Sequence, residues 1–360
     1  MKNKIVCIIM AAFIGAFSLL SFFAPKDEYS LWERRNLTKF PTLSVETVMN
    51  GSFMANFEEY ATDSFSFRNA FRRVRAMWDN YVFLKNDTND LYIKDGYISK
   101  VEYPFKKDSV ENAVSRFEFV CEKYLSESNQ VYFSIIPDKN YFTSGDKYLS
   151  INYNDFTEYM RESFGRAEYI DIFNILALED YYKTDTHWRQ ECLVDVAEKL
   201  CSEMGADFTD NFTVQTLGRD FYGEYYCQSA MPVKPDEIKY LTSDIIDNCT
   251  VYDYEHSKES NVYDMEKAAG NEPYEMFLSG PISLMEINNP SAKTERELVI
   301  FRDSFGSAIA PLLAEGYSKI TLVDIRYISS NYIGQLVDFE DADVLFLYST
   351  LVLNNSEMFK

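Results

Sequence analysis

His187 is one of only two histidines in a chain of 360 residues, and it stands two positions after a carboxylate in Thr184-Asp185-Thr186-His187-Trp188. An imidazole beside an aspartate can be held in one tautomer and used as a general base near neutral pH. Taken alone, the pair would serve equally well as a local hydrogen bond. A second segment, more than a hundred residues later, changes its meaning. Leu298-Val299-Ile300-Phe301-Arg302-Asp303-Ser304-Phe305-Gly306 reads as a buried strand running into a Ser-Phe-Gly turn and then a helix over 305–315. A serine on such a strand-to-helix turn can present its hydroxyl as a nucleophile; it would also serve as the N-cap of that helix. Together the two segments supply a Ser/His/Asp set, and the chemistry such a set performs is acyl transfer.

Serine is a poor nucleophile at its free pKa and needs a base within hydrogen-bond reach. His187 would be that base, with Asp185 holding the ring and stabilising the imidazolium. Residues two apart cannot face one point on a helix, so 184–188 is expected to be a loop leading into a helix near Arg189. The developing oxyanion needs donors, of which the Ser304 backbone N–H at the start of the following helix is the first. Arg326 and Tyr327, in Val323-Asp324-Ile325-Arg326-Tyr327, end the next strand on the same rim and are candidates for oxyanion or substrate contact; Arg326 would otherwise be a surface ion-pairing residue. Lys139, after Pro137-Asp138, could face the cleft or be solvated, and Trp188 is a further candidate for lining it. His256 sits in an acidic loop and reads as exposed. With no C-x-x-C pair, no H-E-x-x-H and two histidines, no metal is expected.

The elements that must position these groups alternate. Helical periodicity over 108–127 puts Val110, Ala113, Val114, Phe117, Val120 and Tyr124 on one face. A buried strand follows at 131–136, then a helix at 153–164, a strand at 169–172 and a helix at 189–204. After a polar stretch at 205–290, read as an insertion of short strands and loops, the rhythm resumes with strand 297–302, helix 305–315, strand 319–324, helix 330–337 and strand 343–348. This predicts an α/β fold with a central, mostly parallel sheet and helices on both faces, the ligand lying at the carboxyl ends of the strands. Upstream, 26–60 reads as an irregular stalk with a short amphipathic helix, 67–84 as helical, and 91–93 and 97–99 as short strands. The domain division is therefore 1–25, 26–105 and 106–360.

The apolar run from Ile5 to Ala24, preceded by basic residues and followed by Asp27-Glu28, is about 20 residues and long enough to span a bilayer. It predicts an N-in, C-out signal-anchor, or a cleaved signal peptide, with the remainder extracytoplasmic. A net charge of −22 argues against nucleic acid and anionic lipid as main partners. Aromatics make up 16% of the chain, 27 of them tyrosines, and these rings serve as core or as sugar-stacking surface. Of the six cysteines, Cys7 lies in the apolar segment, and Cys192 and Cys201 fall about 13 Å apart on one predicted helix, too far to bridge. Cys227 and Cys249 could pair.

Lys183-Thr184-Asp185-Thr186-His187-Trp188 and the Asp303-Ser304-Phe305-Gly306 turn, with Val323–Tyr327, resemble the DHHW family of exported proteins. Glu33-Arg34-Arg35-Asn36-Leu37, Asp63–Arg68, Phe221-Tyr222-Gly223 and Phe277-Leu278-Ser279-Gly280 extend the resemblance over about residues 30–350. That family is similar to the alginate O-acetylation proteins J and X, whose catalytic domains are SGNH-hydrolase-like. The resemblance implies an SGNH-like three-layer fold with the order Asp185, His187, Ser304, whereas ordinary SGNH hydrolases place the serine first. The His-His pair of the family name is Thr186-His187 here, and no Gly-Asp-Ser block is present. Nor is a carbohydrate-binding module like that of alginate protein X expected after the last strand. The implied function is O-acetylation of a cell-surface or secreted polysaccharide through an acyl-Ser304 intermediate. No bound cofactor is implied: the acetyl group, ultimately from acetyl-CoA, would arrive through a membrane-bound O-acyltransferase partner, with segment 5–24 keeping the chain at the membrane. A carbohydrate acetyl esterase and a non-catalytic polysaccharide-binding scaffold are the alternative readings.

Overall fold

A computed structural model describes residues 2–30, 33 and 35–360. Met1, Leu31, Trp32 and Arg34 lie outside the described residues, and Arg34 takes with it part of the Glu33–Leu37 motif. The chain divides into two compact units, Met1–Leu91 with Glu224–Val233, and Tyr92–Gly223 with Lys234–Lys360.

The first unit opens with α1, Lys2–Phe23. Its apolar side chains stand exposed, and Lys4–Phe23 is long and apolar enough to cross a membrane. Beyond it the expected stalk is more ordered than the sequence suggests, with helices Val45–Met49 and Ser52–Asp63, and the helix expected over 67–84 follows as Arg68–Met77. The last runs on as a π-helical turn, Trp78–Val82. Asp63 fixes this region: it accepts two hydrogen bonds from Arg35, at 2.9 and 2.5 Å, and two from Thr38, both at 2.9 Å. The Arg35 hydrogen bonds hold the Asp63 carboxyl well below the usual carboxylate range.

The second unit is built on one eight-stranded sheet. Its strands, in chain order, are β1 Val131–Ile136, β2 Glu168–Tyr169, β3 Thr250–Asp253, β4 Lys258–Ser260, β5 Leu284–Asn288, β6 Glu297–Arg302, β7 Lys319–Val323 and β8 Asp343–Ser349. They lie side by side as β4-β3-β5-β7-β6-β8-β1-β2. The five strands from β7 to β2 are mutually parallel, and β5, β3 and β4 continue the sheet antiparallel. Along β6, Leu298 and Ile300 enter one core layer while Val299 and Phe301 enter the other. A strand covered on both faces reads as an unbroken apolar run, which is why this block was legible. The helices Lys107–Tyr124 and Tyr153–Ser163 cover one face, and Val194–Glu203 covers the other. The expected three-layer α/β architecture is the one observed.

Several elements differ from expectation. The helix expected at 305–315 is a single α-turn, Gly306–Ile309, continuing as 3-10 helix through Ala310–Gly316, because Pro311 has no N–H to extend the ladder. The one expected at 330–337 shrinks to Ile333–Gln335, where Gly334 lies so close to Tyr124 that a Cβ would meet its ring at 2.2 Å. The 189–204 helix breaks at Leu193, placing Cys192 in a separate 3-10 turn and Cys201 in the α-helix. The 169–172 strand keeps only the edge pair Glu168–Tyr169. The 205–290 region is not a mere insertion, since it supplies β3, β4 and β5. Cys227 and Cys249 are buried thiols with no disulfide joining them. His256 is exposed, with Nδ1 2.7 Å from Asp253.

Candidate active site

Ser304 lies just past the C-terminal end of β6, which sits between β7 and β8. Leaving β6, the chain crosses one face of the sheet to reach β7; leaving β7, it crosses the opposite face to reach β8. The crevice at β6 is thus the topological switch point, where ligands of open α/β sheets bind. The buried Asp303 shapes the turn: one carboxylate oxygen accepts the Phe305 N–H at 3.0 Å and the other accepts the Ser349 N–H at 2.8 Å. Gly306 is required sterically, because a Cβ there would meet the Arg302 Cβ at 2.6 Å.

The segment 181–188 is a loop closed by a bridge between Tyr181 and Trp188 and by a 3.1 Å bond from the Tyr182 N–H to the His187 carbonyl. Inside it Asp185 turns back, and one carboxylate oxygen meets the His187 N–H at 3.1 Å and Nδ1 at 2.6 Å. On the far side of the ring, Nε2 is 2.8 Å from the Ser304 hydroxyl. Ser304, His187 and Asp185 are therefore brought into one continuous relay. The ring is held flat by Tyr274, stacked at 3.9 Å and 14°, and flanked by Phe305 at 4.9 Å. The N–H groups of Phe305, Gly306 and Ser307 all bond within the turn, to Asp303 and Ser304. That leaves the Ser304 N–H as the turn's donor for an oxyanion.

Other candidates fall elsewhere. Trp188 is fully buried and its indole N–H donates to the Phe305 carbonyl at 3.0 Å, so it fastens the histidine loop to the serine turn instead of facing substrate. Gln190 adds a second fastening, donating to the Ala308 carbonyl at 2.7 Å. Lys139 does not face the cleft either. It is 2% exposed, and its ammonium donates to the Tyr182 carbonyl at 2.8 Å beneath the histidine loop. Burial pulls its pKa down to about 7, against the attraction of Asp185, Asp236 and Asp138. Arg326 pairs in bidentate fashion with Asp324 at 2.8 and 2.6 Å. Burial opposes its charge, but that pairing outweighs it and raises its pKa. Its guanidinium lies 5.4 Å from the ring of the exposed Tyr327. Both remain at the rim, and neither replaces a bond within the relay.

Two positioning groups escaped the sequence reading. Asp236 accepts from the Lys183 N–H at 3.0 Å, and from the Thr184 N–H and hydroxyl at 2.8 and 2.6 Å. Gly223 donates its N–H to the Thr184 hydroxyl at 3.0 Å and lies so close to Asp185 that a Cβ would fall 2.2 Å from the Asp185 Cβ. Phe221-Tyr222-Gly223 was visible as a motif; its contact with Asp185 was not. Among the described residues no group of three or more His, Cys, Asp or Glu side chains is placed to hold a metal.

Two expectations follow. Gly223→Ala should displace Asp185 and lower kcat by about 100-fold or more, measured beside thermal unfolding to separate this from misfolding. For Lys139 the folded-state pKa lies below the ordinary one. Between about pH 7 and 10 the unfolded chain therefore binds a proton that the folded chain lacks, and stability rises with pH by at most about 1.4 kcal/mol per unit. Urea midpoints measured from pH 7 to 9 should show this rise in the wild type relative to Lys139→Met; parallel curves would refute it.

No model of a protein family matches the sequence, and no curated protein matches it. Solved structures do. A DHHW family protein from Eubacterium siraeum DSM 15702 superposes with a TM-score of 0.61 at 21% identity, over 76% of this chain and 95% of that one. PatB1 of Bacillus cereus, solved with a sulfonyl adduct, superposes with a TM-score of 0.59 at 18% identity, over 77% and 99%. The O-acetyltransferase domain of Pseudomonas putida AlgJ aligns with a TM-score of 0.45 at 12% identity, over 73% and 92%, too loosely to carry an inference. The chain thus shares the fold of a DHHW family protein and of PatB1 over three quarters of its length.

Proposed function

We propose that this chain is an extracytoplasmic serine O-acetyltransferase acting on a cell-surface or secreted polysaccharide. The observation that carries the proposal is the relay, 2.8 Å from Ser304 to His187 and 2.6 Å from His187 to Asp185. The apolar N-terminal helix supports an extracytoplasmic site anchored at the membrane or released from it. The resemblance of the Asp-x-His-Trp and Asp-Ser-Phe segments to the DHHW family, which is similar to the alginate acetylation proteins, supports acetyl as the group and a sugar hydroxyl as the acceptor.

In this reading the Ser304 oxygen attacks the acetyl carbonyl of the donor while His187 Nε2 takes its proton. Asp185 accepts the Nδ1–H and stabilises the imidazolium. The tetrahedral oxyanion receives the Ser304 N–H. Collapse breaks the bond to the donor's leaving group, which takes the proton from His187, and leaves an acetyl ester on Ser304. A sugar hydroxyl then attacks that ester, passing its proton to His187. The ester bond to Ser304 breaks, the serine recovers its proton, and the acetylated sugar departs. The donor on the outer face would be supplied by a membrane-bound O-acyltransferase.

The test is to incubate the full chain in detergent with 4-nitrophenyl acetate and sugar oligomers, beside Ser304→Ala. The variant should lose turnover by about 10⁴-fold or more, and acetyl should appear on the sugar. PatB1 carries a sulfonyl adduct, so phenylmethylsulfonyl fluoride should add one sulfonyl group to this chain, on Ser304. Acetate release without sugar acetylation across the acceptor series would replace this reading with an esterase. Equal turnover in wild type and variant, with no labelling, would leave the scaffold reading.

A further inference from the structure

The helix Arg68–Met77 with its π-turn continuation Trp78–Val82 is built inside out. Phe67, Phe71, Val74, Trp78, Tyr81 and Val82 recur at helical spacing along one face, yet are 65, 42, 50, 51, 65 and 54% exposed. The opposite face carries the packed positions. Ala76 and Asp79 are buried there, and Arg72 donates to the carbonyls of Cys227 at 3.0 Å and Gln228 at 3.2 Å. A helix bordering water does the reverse, and a contiguous apolar face of this kind marks a surface that something covers.

The contacts with α1 indicate what covers it. Phe17, six residues before the α1 terminus Phe23, has its ring 5.7 Å from Phe65, 6.3 Å from Phe67 and 5.6 Å from Phe71. The Ser66 N–H donates to the Ser21 hydroxyl at 2.9 Å. At 1.5 Å per residue, Phe17 lies about 9 Å from the end of α1, which matches the roughly 5–10 Å to which interfacial helices sink their apolar face. Where α1 enters a bilayer, the start of the stripe enters beside it. Of the four arginines on this helix, Arg68 pairs with Glu33, Arg72 with the Cys227 and Gln228 carbonyls and Arg73 with the Tyr226 hydroxyl, while Arg75 stands exposed. Trp78 and Tyr81 are the residue types that settle at the headgroup level.

We propose that residues 67–82 form a second membrane contact, lying in the outer-leaflet interface with the apolar stripe in the acyl boundary and Arg75 at the headgroups. The partner is the lipid bilayer itself, and the inference rests on α1 being a retained anchor. The test uses the full chain in vesicles of phosphatidylcholine and phosphatidylglycerol, with an environment-sensitive fluorophore on single thiols. The native, exposed Cys7 reports α1. Cys192, the half-exposed native thiol, is replaced by Ser throughout, the other four being buried; with Cys7→Ser added, Val74→Cys and Tyr81→Cys report the stripe, and Glu198→Cys on the helix Val194–Glu203 is the aqueous control. The expected result is blue-shifted emission at 74 and 81, quenched by lipid-borne nitroxide and protected from aqueous iodide, with the opposite at 198. A lipid-quenched label at Cys7 with iodide-quenched labels at 74 and 81 would overturn the second contact and leave the anchor intact. Iodide quenching at Cys7 would overturn the anchor and the proposal together. Protection at 74 and 81 from both quenchers would mean that protein, a second copy of this chain, covers the stripe, and would overturn lipid as the partner.

Discussion

The proposed chemistry depends on holding two loops, 117 residues apart in sequence, to within a hydrogen bond of each other. A relay of this kind tolerates little play, since a shift of about 1 Å can cost two orders of magnitude in rate. The structure meets this with neutral bonds that bypass the reacting atoms. The Trp188 indole grips the Phe305 carbonyl, and the Gln190 amide grips that of Ala308. Each anchors the histidine loop to the residues that follow Ser304. Both side chains are fully buried, where leaving either bond unmade would cost about 1–3 kcal/mol. The two loops are therefore held together by the demand that buried donors be satisfied.

Charge is handled differently on the other flank of the histidine loop. Asp185, Asp236 and Asp138 all act on the buried ammonium of Lys139. A lone ammonium in such a place would be driven neutral by desolvation, and carboxylates without a cation would be driven to take up protons. The three carboxylates oppose the effect of burial, and the lysine is held at about 7. The loop's carbonyls take the ammonium and its N–H groups take Asp236, so the peptide between them is gripped from both ends.

What was legible in the sequence is what short-range pattern determines. The apolar runs of β1, β6, β7 and β8 and the helical stripe from Val110 to Val120 follow from periodicity alone. The Asp-x-His spacing forced a loop for geometric reasons. What escaped was long-range or sterically negative. Nothing local shows that Gly223 must lack a Cβ because Asp185 occupies the space, or that Asp236 serves a threonine 52 positions away. Trp188 misled because an aromatic ring beside a histidine suits a sugar and a core equally, and only burial distinguishes the two. The region 205–290 reads as an insertion of short strands and loops, and what escaped is that the strands between 250 and 288 join the main sheet, because their pairing partners lie far away in sequence.

The N-cap role open to Ser304 is not the one it takes in this turn. An N-cap serine accepts, through its hydroxyl, an N–H two or three residues ahead, and that oxygen would then be occupied. Here the cap position of the short α-turn falls on Phe305. The Phe305 N–H is taken by the Asp303 carboxylate, that of Gly306 by the Asp303 carbonyl and that of Ser307 by the Ser304 carbonyl. Asp303 has thereby assumed the capping duty, and the Ser304 hydroxyl is left to His187. Pro311, which shortens the helix, and Gly306, which lets it start against Arg302, belong to the same solution. A longer, regular helix would strengthen the dipole behind the serine, yet it would not require the bend that brings the hydroxyl toward the imidazole. The local irregularity that defeated a simple helix prediction at 305–315 therefore accompanies a Ser304 hydroxyl that meets the His187 imidazole at 2.8 Å and caps no helix.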